Sequence, residues 1–157
     1  MIQKESSQLI IAGIYVWRGR AYVPTHAQYE SGIFVDVEPV YLAELNADDL
    51  MRAIQAVKDA GHMRLPDPKT REEFLIRKDP VLAATKAKSW KQLARNGASY
   101  SIGWTKNEIR IDMSRLNKKG IWEYDLQKVK TLSPDTPLEY IIEIILEDIK
   151  TRPEVFQ

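Results

Sequence analysis

Hydrophobic positions alternate in short runs and then change to a helical spacing, which predicts strands and helices in mixed order. The segment QLIIAGIYVWRG, residues 8–19, predicts a strand, and its nearly unbroken apolar run is typical of one covered on both faces. A turn at Arg18-Gly19-Arg20 leads into RAYVP, a predicted hairpin partner that ends at Pro24, since proline cannot donate to a ladder. Residues 31–42 predict a further strand with a break, bulge or edge at Pro39.

Two helical regions follow this strand. Asn46 predicts an N-cap and Gly61 a C-terminal stop for the first helix. Residues 62–73 are predicted as a proline-containing loop of mixed charge. Residues 81–97 read as helical, in one or two pieces, with Pro80 at the first helical position and a stop at Asn96-Gly97.

The second half predicts a hairpin, a strand and a helix. Apolar alternation over residues 100–104 and 109–113, with a turn at 105–107, predicts two paired strands, and residues 121–132 predict another strand. Thr136 with Glu139 forms a capping-box pattern, with Pro137 at the first helical position. The helical stripe after it contains Leu138, Ile141, Ile142, Ile145, Leu146 and Ile149. The pattern predicts one α+β domain over residues 1–157, with a mainly antiparallel sheet and about three helices on one or both faces.

Composition narrows the functional classes. The chain has 157 residues, 44% of them hydrophobic, and a formal net charge of +1, which does not favour a dedicated nucleic-acid binder. The chain contains no cysteine, which excludes disulfides, thiol nucleophiles and zinc–thiolate sites and fits a reducing cytoplasm. The first residues lack a signal-peptide pattern, and the apolar runs are too short to span a bilayer. We therefore expect a cytoplasmic protein without membrane association.

No catalytic motif emerges from the residues. His26 and His62 lie far apart in sequence, which favours structural or surface roles over metal binding or base catalysis. Asp36 and Glu38 share one face of a strand, but no Glu-X-Lys follows at a suitable place, so solvent-facing positions are favoured over acid–base or metal chemistry. We expect no catalytic residues, no metal and no cofactor. The four tryptophans (Trp17, Trp90, Trp104 and Trp122) are expected to pack in the core rather than to stack on nucleic acid.

Charge is distributed unevenly along the chain. Residues 30–59 carry seven acids against two bases, a net of −5, and residues 135–157 carry six acids against two bases, a net of −4. Residues 64–95 carry nine bases against four acids, a net of +5. Glu139, Glu143 and Glu147 recur every four residues and so lie on one helix face. A solvated face explains this spacing, and so does a surface shaped for a basic partner.

Three segments carry a resemblance to a known family. They are EPVYLAELNADDLMRAIQAVKDAG, DPVLAATKAKSWKQLARNG and SYSIGWTKNEIRIDMS, which together cover roughly residues 38–114, about half of the chain. Their order and pattern resemble those of immunity proteins from bacterial contact-dependent growth inhibition systems.

The resemblance implies a non-catalytic protein that acts in bacterial competition. Such immunity proteins bind the toxic C-terminal domain of a surface effector in the cytoplasm, and many of these toxin domains are basic nucleases. The implied partner is a cognate toxin domain, with no membrane and no direct nucleic-acid contact. Clustered carboxylates suit the covering of a basic cleft. The candidate toxin-binding residues are Asp36, Glu38, Glu44, Asp48, Asp49, Glu139, Glu143 and Glu147.

Two other functions remain open from the residues alone. A nucleic-acid-binding or nucleic-acid-processing protein would use the basic segment 64–95 and would bind RNA or DNA in a salt-sensitive way. A small metal-dependent enzyme would use the carboxylate pair Asp36 and Glu38.

Overall fold

The computed structural model describes residues 9–75 and 77–157. In these ranges the chain forms β1 (Ile10–Trp17), β2 (Arg20–Tyr29), β3 (Phe34–Glu44), α1 (Ala47–Ala60), β4 (Met63–Leu65), α2 (Arg71–Leu75), α3 (Pro80–Thr85), α4 (Trp90–Arg95), β5 (Gly97–Trp104), β6 (Ile109–Leu116), β7 (Trp122–Tyr124), β8 (Lys130–Leu132) and α5 (Leu138–Lys150), followed by a 3-10 turn (Pro153–Phe156). The predicted α+β class is confirmed, with short helices α2, α3 and α4 beside the two long ones.

A twisted sheet with β1 near its centre organises the chain. The strand order is β3-β2-β1-β5-β6, with β7 and β8 pairing at opposite ends of β6. These pairings are antiparallel, and within the described residues only the short β4 joins its neighbour, β2, in parallel. The predicted hairpins β1–β2 and β5–β6 are confirmed. The strand β3 lies at one edge of the main path, where a proline is tolerated.

The two long helices cover one face of the sheet. Their apolar stripes pack on alternate residues of the central strands, so that Ile54 of α1 and Ile145 of α5 share a core with Ile14. Each of these side chains is fully buried, and burial of an isoleucine stabilises the fold by about 2–3 kcal/mol. We call α1 and α5 together the helix layer.

The opposite face is covered only in part. The short helices α3 and α4 place Val81 and Leu93 against Trp17 and Tyr22, the odd-numbered side of β1 and its partner. Both faces of β1 are therefore packed at its C-terminal half, as its unbroken apolar run predicts. Towards the start of β1 this face has no helix over it among the described residues, and a groove remains there.

Helix boundaries follow their capping residues in most cases. The Asn46 side chain accepts a hydrogen bond from the Asp49 N–H at 2.9 Å, and Gly61 ends α1 with a φ of +70°. The region 81–97 divides in two, because Lys86 takes a left-handed conformation and Ser89 caps a new helix. The predicted ends of α1 and the predicted helical character of residues 81–97, in two pieces, are confirmed.

Pro24 does not end its strand, contrary to the prediction. The strand β2 continues to Tyr29, and the ladder with β3 shifts register between Pro24 and Thr25. Pro24 pairs with Val40 and Thr25 with Val37, so the residues at Glu38 and Pro39 bulge out of β3 as predicted for Pro39. A bulge accommodates the missing proline donor without ending the strand.

Three further boundary predictions are wrong. Residues 121–132 form two short strands, β7 and β8, and not one. The predicted loop 62–73 contains β4 and the start of α2, because β4 gains backbone partners from β2. Thr136 is not an N-cap: its hydroxyl donates to the Ser133 carbonyl, and α5 begins after Pro137 without a side-chain cap. Gln8, where the first strand was predicted to begin, lies outside the described residues.

Candidate interaction surface

The eight candidate carboxylates lie on two sides of the sheet. Asp36 of β3 faces the groove on the side away from the helix layer, whereas Glu38 is exposed at the β3 bulge. Glu44, Asp48 and Asp49 surround the start of α1, and Glu139, Glu143 and Glu147 are spread along α5. The structure brings α1 and α5 together in one layer, but it places Asp36 on the other face.

Several carboxylates of the helix layer already have partners. Asp49 accepts hydrogen bonds from the Glu44 N–H and from Arg52, and Glu44 lies 3.6 Å from Arg20. Glu147 pairs with Lys150 at 2.9 Å. Asp49 is half-buried, whereas the Glu44 and Glu147 side chains are largely exposed, so each of their pairs contributes about 0–1 kcal/mol and leaves its carboxylate accessible to a partner.

Asp148 is held by hydrogen bonds from three other side chains, although the acidic composition of its segment does not indicate this role. It accepts hydrogen bonds from Tyr100 Oη at 2.6 Å, Lys128 Nζ at 2.7 Å and Arg152 Nε at 2.8 Å. Burial by itself would raise the pKa of Asp148, but the hydrogen bonds from Lys128 and Tyr100 and the charge of Arg152 together lower it. Asp148 is thus a charged tie between α5 and the sheet.

The groove on the uncovered sheet face has a volume of about 580 Å³. We call it the sheet groove. Its lining includes Ile11, Gly13, Tyr15, His26, Phe34, Asp36, Ser99, Ser101, Gly103, Thr105, Glu108, Arg110, Asp112 and Tyr124. Small residues form its floor, because Gly13 pairs with Ser101 and Ile11 pairs with Gly103 across β1 and β5.

Five strands contribute one row of side chains across the groove. Asp36 is opposite His26, Gly13 is opposite Ser101, and Ser101 is opposite Asp112. The His26 ring lies beside Gly13 and so connects the β2 and β1 parts of this row. A Cβ on Gly13 would lie 3.5 Å from the His26 Cε1 atom. A Cβ at position 13 would therefore make an ordinary van der Waals contact with this ring.

The β3 side of the groove holds a compact polar cluster. His26 Nε2 lies 3.0 Å from Asp36 Oδ1, and the Tyr15 hydroxyl donates to Asp36 Oδ2 at 3.2 Å. His26 is buried, and its Nδ1 atom has no hydrogen-bond partner among residues 9–75 and 77–157. Burial raises the pKa of the Tyr15 hydroxyl well above its usual value, and the charge of Asp36 raises it further. Tyr15 is therefore a neutral donor.

The opposite side of the groove carries a fixed ion pair and a free carboxylate. Arg110 binds Asp112 in a bidentate arrangement, with Nε–Oδ2 at 3.0 Å and Nη2–Oδ1 at 3.0 Å. Glu108 is exposed, and its carboxylate has no ion-pair partner in the described part of the chain. This side therefore offers negative charge to a ligand.

An aromatic cluster adjoins the polar one. Tyr15 packs at 5.5 Å from Trp90 and at 5.9 Å from Trp122, measured between ring centroids. Trp17 is buried and Trp104 packs on the main core, as predicted. Trp90 departs from the prediction: it is 36% exposed, and its Nε1 donates to Asp79 at 2.9 Å.

The two histidines meet in the fold although they are distant in sequence. His62 Nε2 accepts a hydrogen bond from the Ile11 N–H at 3.0 Å, and His62 Nδ1 lies 3.2 Å from the His26 carbonyl. This pairing requires the neutral ring with its proton on Nδ1. Both histidines have the structural surroundings that their isolation in sequence predicts.

We expect the stability of the protein to fall as the pH drops below 6.5 because of His62. Burial lowers the pKa of His62 from 6.5, so the unfolded state binds a proton more readily than the folded state does. The stability that neutral His62 permits is complete above the unfolded-state pKa of 6.5. It is lost as the pH falls from 6.5 to the lowered pKa of the folded state. Chemical denaturation at about pH 7.5 and about pH 5.5 measures the loss. His62→Gln keeps an acceptor for Ile11, and an equal loss in that variant would contradict the assignment.

The basic segment 64–95 is spread over several elements. Its side chains at Arg64, Lys69, Arg71, Lys78, Lys86, Lys88, Lys91 and Arg95 are exposed. Arg77 is half-buried and donates to the Asp36 carbonyl at 2.9 Å, so it supports the groove wall. The exposed bases occupy β4, α2, α4 and the connections before α2 and before and after α3 rather than one helix face.

The described residues contain neither a cluster of metal ligands nor a membrane-spanning helix. Within residues 9–75 and 77–157, no three histidine, aspartate or glutamate side chains are grouped as a metal would require. No helix in the same ranges has the length and apolar character needed to cross a membrane.

Sequence reasoning missed most of the groove. Of the polar residues that line the groove, only Asp36 belongs to the partner-binding candidates that the charge pattern predicts. The available signal was small or polar residues at alternate positions, namely Gly13 on β1 and Ser99, Ser101 and Gly103 on β5, opposite the buried set. This pattern identifies which face of each strand is uncovered. It does not identify which strands are neighbours in the sheet, so the groove itself cannot be predicted from it.

Comparison with known proteins establishes a shared fold. No family model matches the chain, and no curated protein matches it. A protein of unknown function from Neisseria meningitidis superposes with a TM-score of 0.65 at 15% identity, covering 95% of this chain and 99% of that one. A chain of the CdiA-CT/CdiI toxin and immunity complex from Yersinia pseudotuberculosis superposes with a TM-score of 0.65 at 19% identity, covering 92% of this chain and 97% of that one.

Proposed function

We propose that this chain is a non-catalytic immunity protein of a contact-dependent growth inhibition system. It binds the toxic C-terminal domain of a cognate effector in the cytoplasm, and residues 1–157 act as one domain. The observation that carries the proposal is the fold shared, over nearly the full length of both chains, with a chain of a toxin and immunity complex. The resemblance of residues 38–114 to such immunity proteins supports it.

The inhibition is steric and electrostatic. Carboxylates of this chain cover a basic cleft of the toxin domain, which we take to be a nuclease. A nuclease cleft must attract phosphate, so complementary carboxylates speed the encounter and set specificity. Six of the eight candidates are exposed and available for this role, namely Glu38, Glu44, Asp48, Glu139, Glu143 and Glu147. Asp36 and Asp49 are half-buried against other groups of the chain.

Co-expression with the toxin domain encoded immediately upstream tests the function. We expect this chain to restore growth and an unrelated toxin to remain lethal. Calorimetry with the purified toxin domain should give one-to-one binding that weakens as salt is raised, because screening reduces attraction between opposite surfaces. Continued cell death despite expression of the folded chain would reject the proposal.

The alternative function, nucleic-acid binding through residues 64–95, is favoured by the exposure of eight basic side chains and of Trp90. It predicts salt-sensitive binding of RNA by the isolated chain. Filter binding with a mixed tRNA sample distinguishes the two functions, because the immunity role requires no such affinity.

A further inference from the structure

We propose that the sheet groove is the surface that meets the toxin domain, and that it receives an arginine or lysine side chain presented by that domain. This inference rests on the proposed function and assigns it a site. It favours the uncovered sheet face over the acidic helix layer.

Charge is the first argument. The charged groups lining the groove are three carboxylates, Asp36, Glu108 and Asp112, and one guanidinium, Arg110. The three carboxylates and the one guanidinium together carry a net charge of −2. Low-dielectric walls around a cleft focus such a field, and a cation is the complementary ligand.

Hydrogen-bonding capacity is the second argument. Ionised carboxylates are acceptors only, and the groove presents those of Asp36, Glu108 and Asp112. Glu108 has no ion-pair partner among the described residues. Guanidinium and ammonium groups carry only donors, so an arriving cation supplies the matching donors.

Preorganisation is the third argument. Asp36 is held by His26 and Tyr15, and Asp112 is held by both arms of Arg110. Side chains that are already ordered lose little conformational entropy on binding. Glu139 and Glu143 of α5 are exposed and have no ion-pair partner among the described residues to hold them in place.

A second cavity and exposed aromatic residues adjoin the groove, and together they form a surface large enough for a protein partner. A second cavity, of about 460 Å³, is lined by Val35, Phe74 and Trp90 and shares Asp36 with the first. Tyr124, at the other side of the groove, is 57% exposed. Exposed aromatic residues around a polar centre are typical of protein interfaces, and they also attract a cation over the ring face.

The experiment is calorimetry of the purified upstream toxin domain with two groove variants. Glu108→Gln removes the free carboxylate, and we expect Kd to rise about tenfold. Ser101→Tyr fills the floor of the groove, and we expect Kd to rise by at least about 100-fold. Thermal melting of each variant establishes that it is folded.

Matched controls change the same residue types elsewhere. Ser133→Tyr and Asp59→Asn should leave Kd within about threefold of the wild-type value, because an exposed side chain outside the contact contributes little. A triple variant, Glu139→Gln, Glu143→Gln and Glu147→Gln, tests the helix layer directly. A tenfold loss in the triple variant, with Glu108→Gln unchanged, would overturn the groove and assign the helix layer instead. Absence of binding by the wild-type chain would overturn the proposed function itself, and the groove assignment with it.

Discussion

Replacing Asp148 with asparagine is expected to lower the free energy of unfolding by about 3 kcal/mol, the cost of breaking a buried ion pair. The Asp148 side chain is 8% exposed, and it accepts from Tyr100, Lys128 and Arg152 at once. Arg152, 12% exposed, would be left without its charged partner, although its Nη2 would still donate to the Ser114 carbonyl at 2.6 Å. The asparagine amide also brings donors to a position that needs only acceptors.

Glu147→Gln is the matched control for this variant. Glu147 precedes Asp148 on the same helix, and its side chain is 72% exposed. We expect its loss of stability to stay below about 0.5 kcal/mol, as for most exposed charges. Urea denaturation of both variants measures the difference, and equal midpoints would show that Asp148 is not a structural tie.

Lowering the pH should remove the stabilisation by ionised Asp148 in the unmodified protein as well. The pKa of Asp148 is held below its usual 3.8, so its stabilisation is complete above that value and is lost as the pH falls through the lowered one.

Replacing Gly97 with alanine is expected to destabilise the fold by at least about 2 kcal/mol through overpacking. A Cβ at this position would lie 2.4 Å from the Leu93 carbonyl oxygen and 2.7 Å from the Val16 carbonyl oxygen. Both atoms belong to the backbone, one at the end of α4 and one in β1, so neither can move as a side-chain tip does. Gly97 thus permits the close approach of α4 to the central strands.

Gly13→Ala provides the comparison for Gly97→Ala. Both glycines lie on strands at the sheet centre, but a Cβ at Gly13 would meet its nearest atom at 3.5 Å, an ordinary contact. We expect a change within about 1 kcal/mol, as measured by thermal unfolding. A Gly97→Ala variant as stable as Gly13→Ala would contradict the close packing of α4.

The sequence alone determined the features that depend on near neighbours in the chain. The ends of α1 follow from Asn46 and Gly61, because a cap is a contact between residues three or four apart. The apolar stripe of α5 and the alternation in β5 and β6 identify buried faces, because each element has a fixed period. The burial of both faces of β1 follows from its unbroken apolar run at the C-terminal half of the strand, but the open groove at its start does not.

Tertiary structure alone decided the features that join distant segments. The groove row combines Asp36, His26, Gly13, Ser101 and Asp112 from five strands, and strand order and register cannot be read from the pattern of one strand. Residues 63–65 form the strand β4 because they pair with β2, and not because of the strand propensity of their own sequence. Asp148 reads in sequence as one more acid of an acidic helix, and only the fold gives it Tyr100 and Arg152 as partners, because burial and charge pairing arise between elements rather than within them.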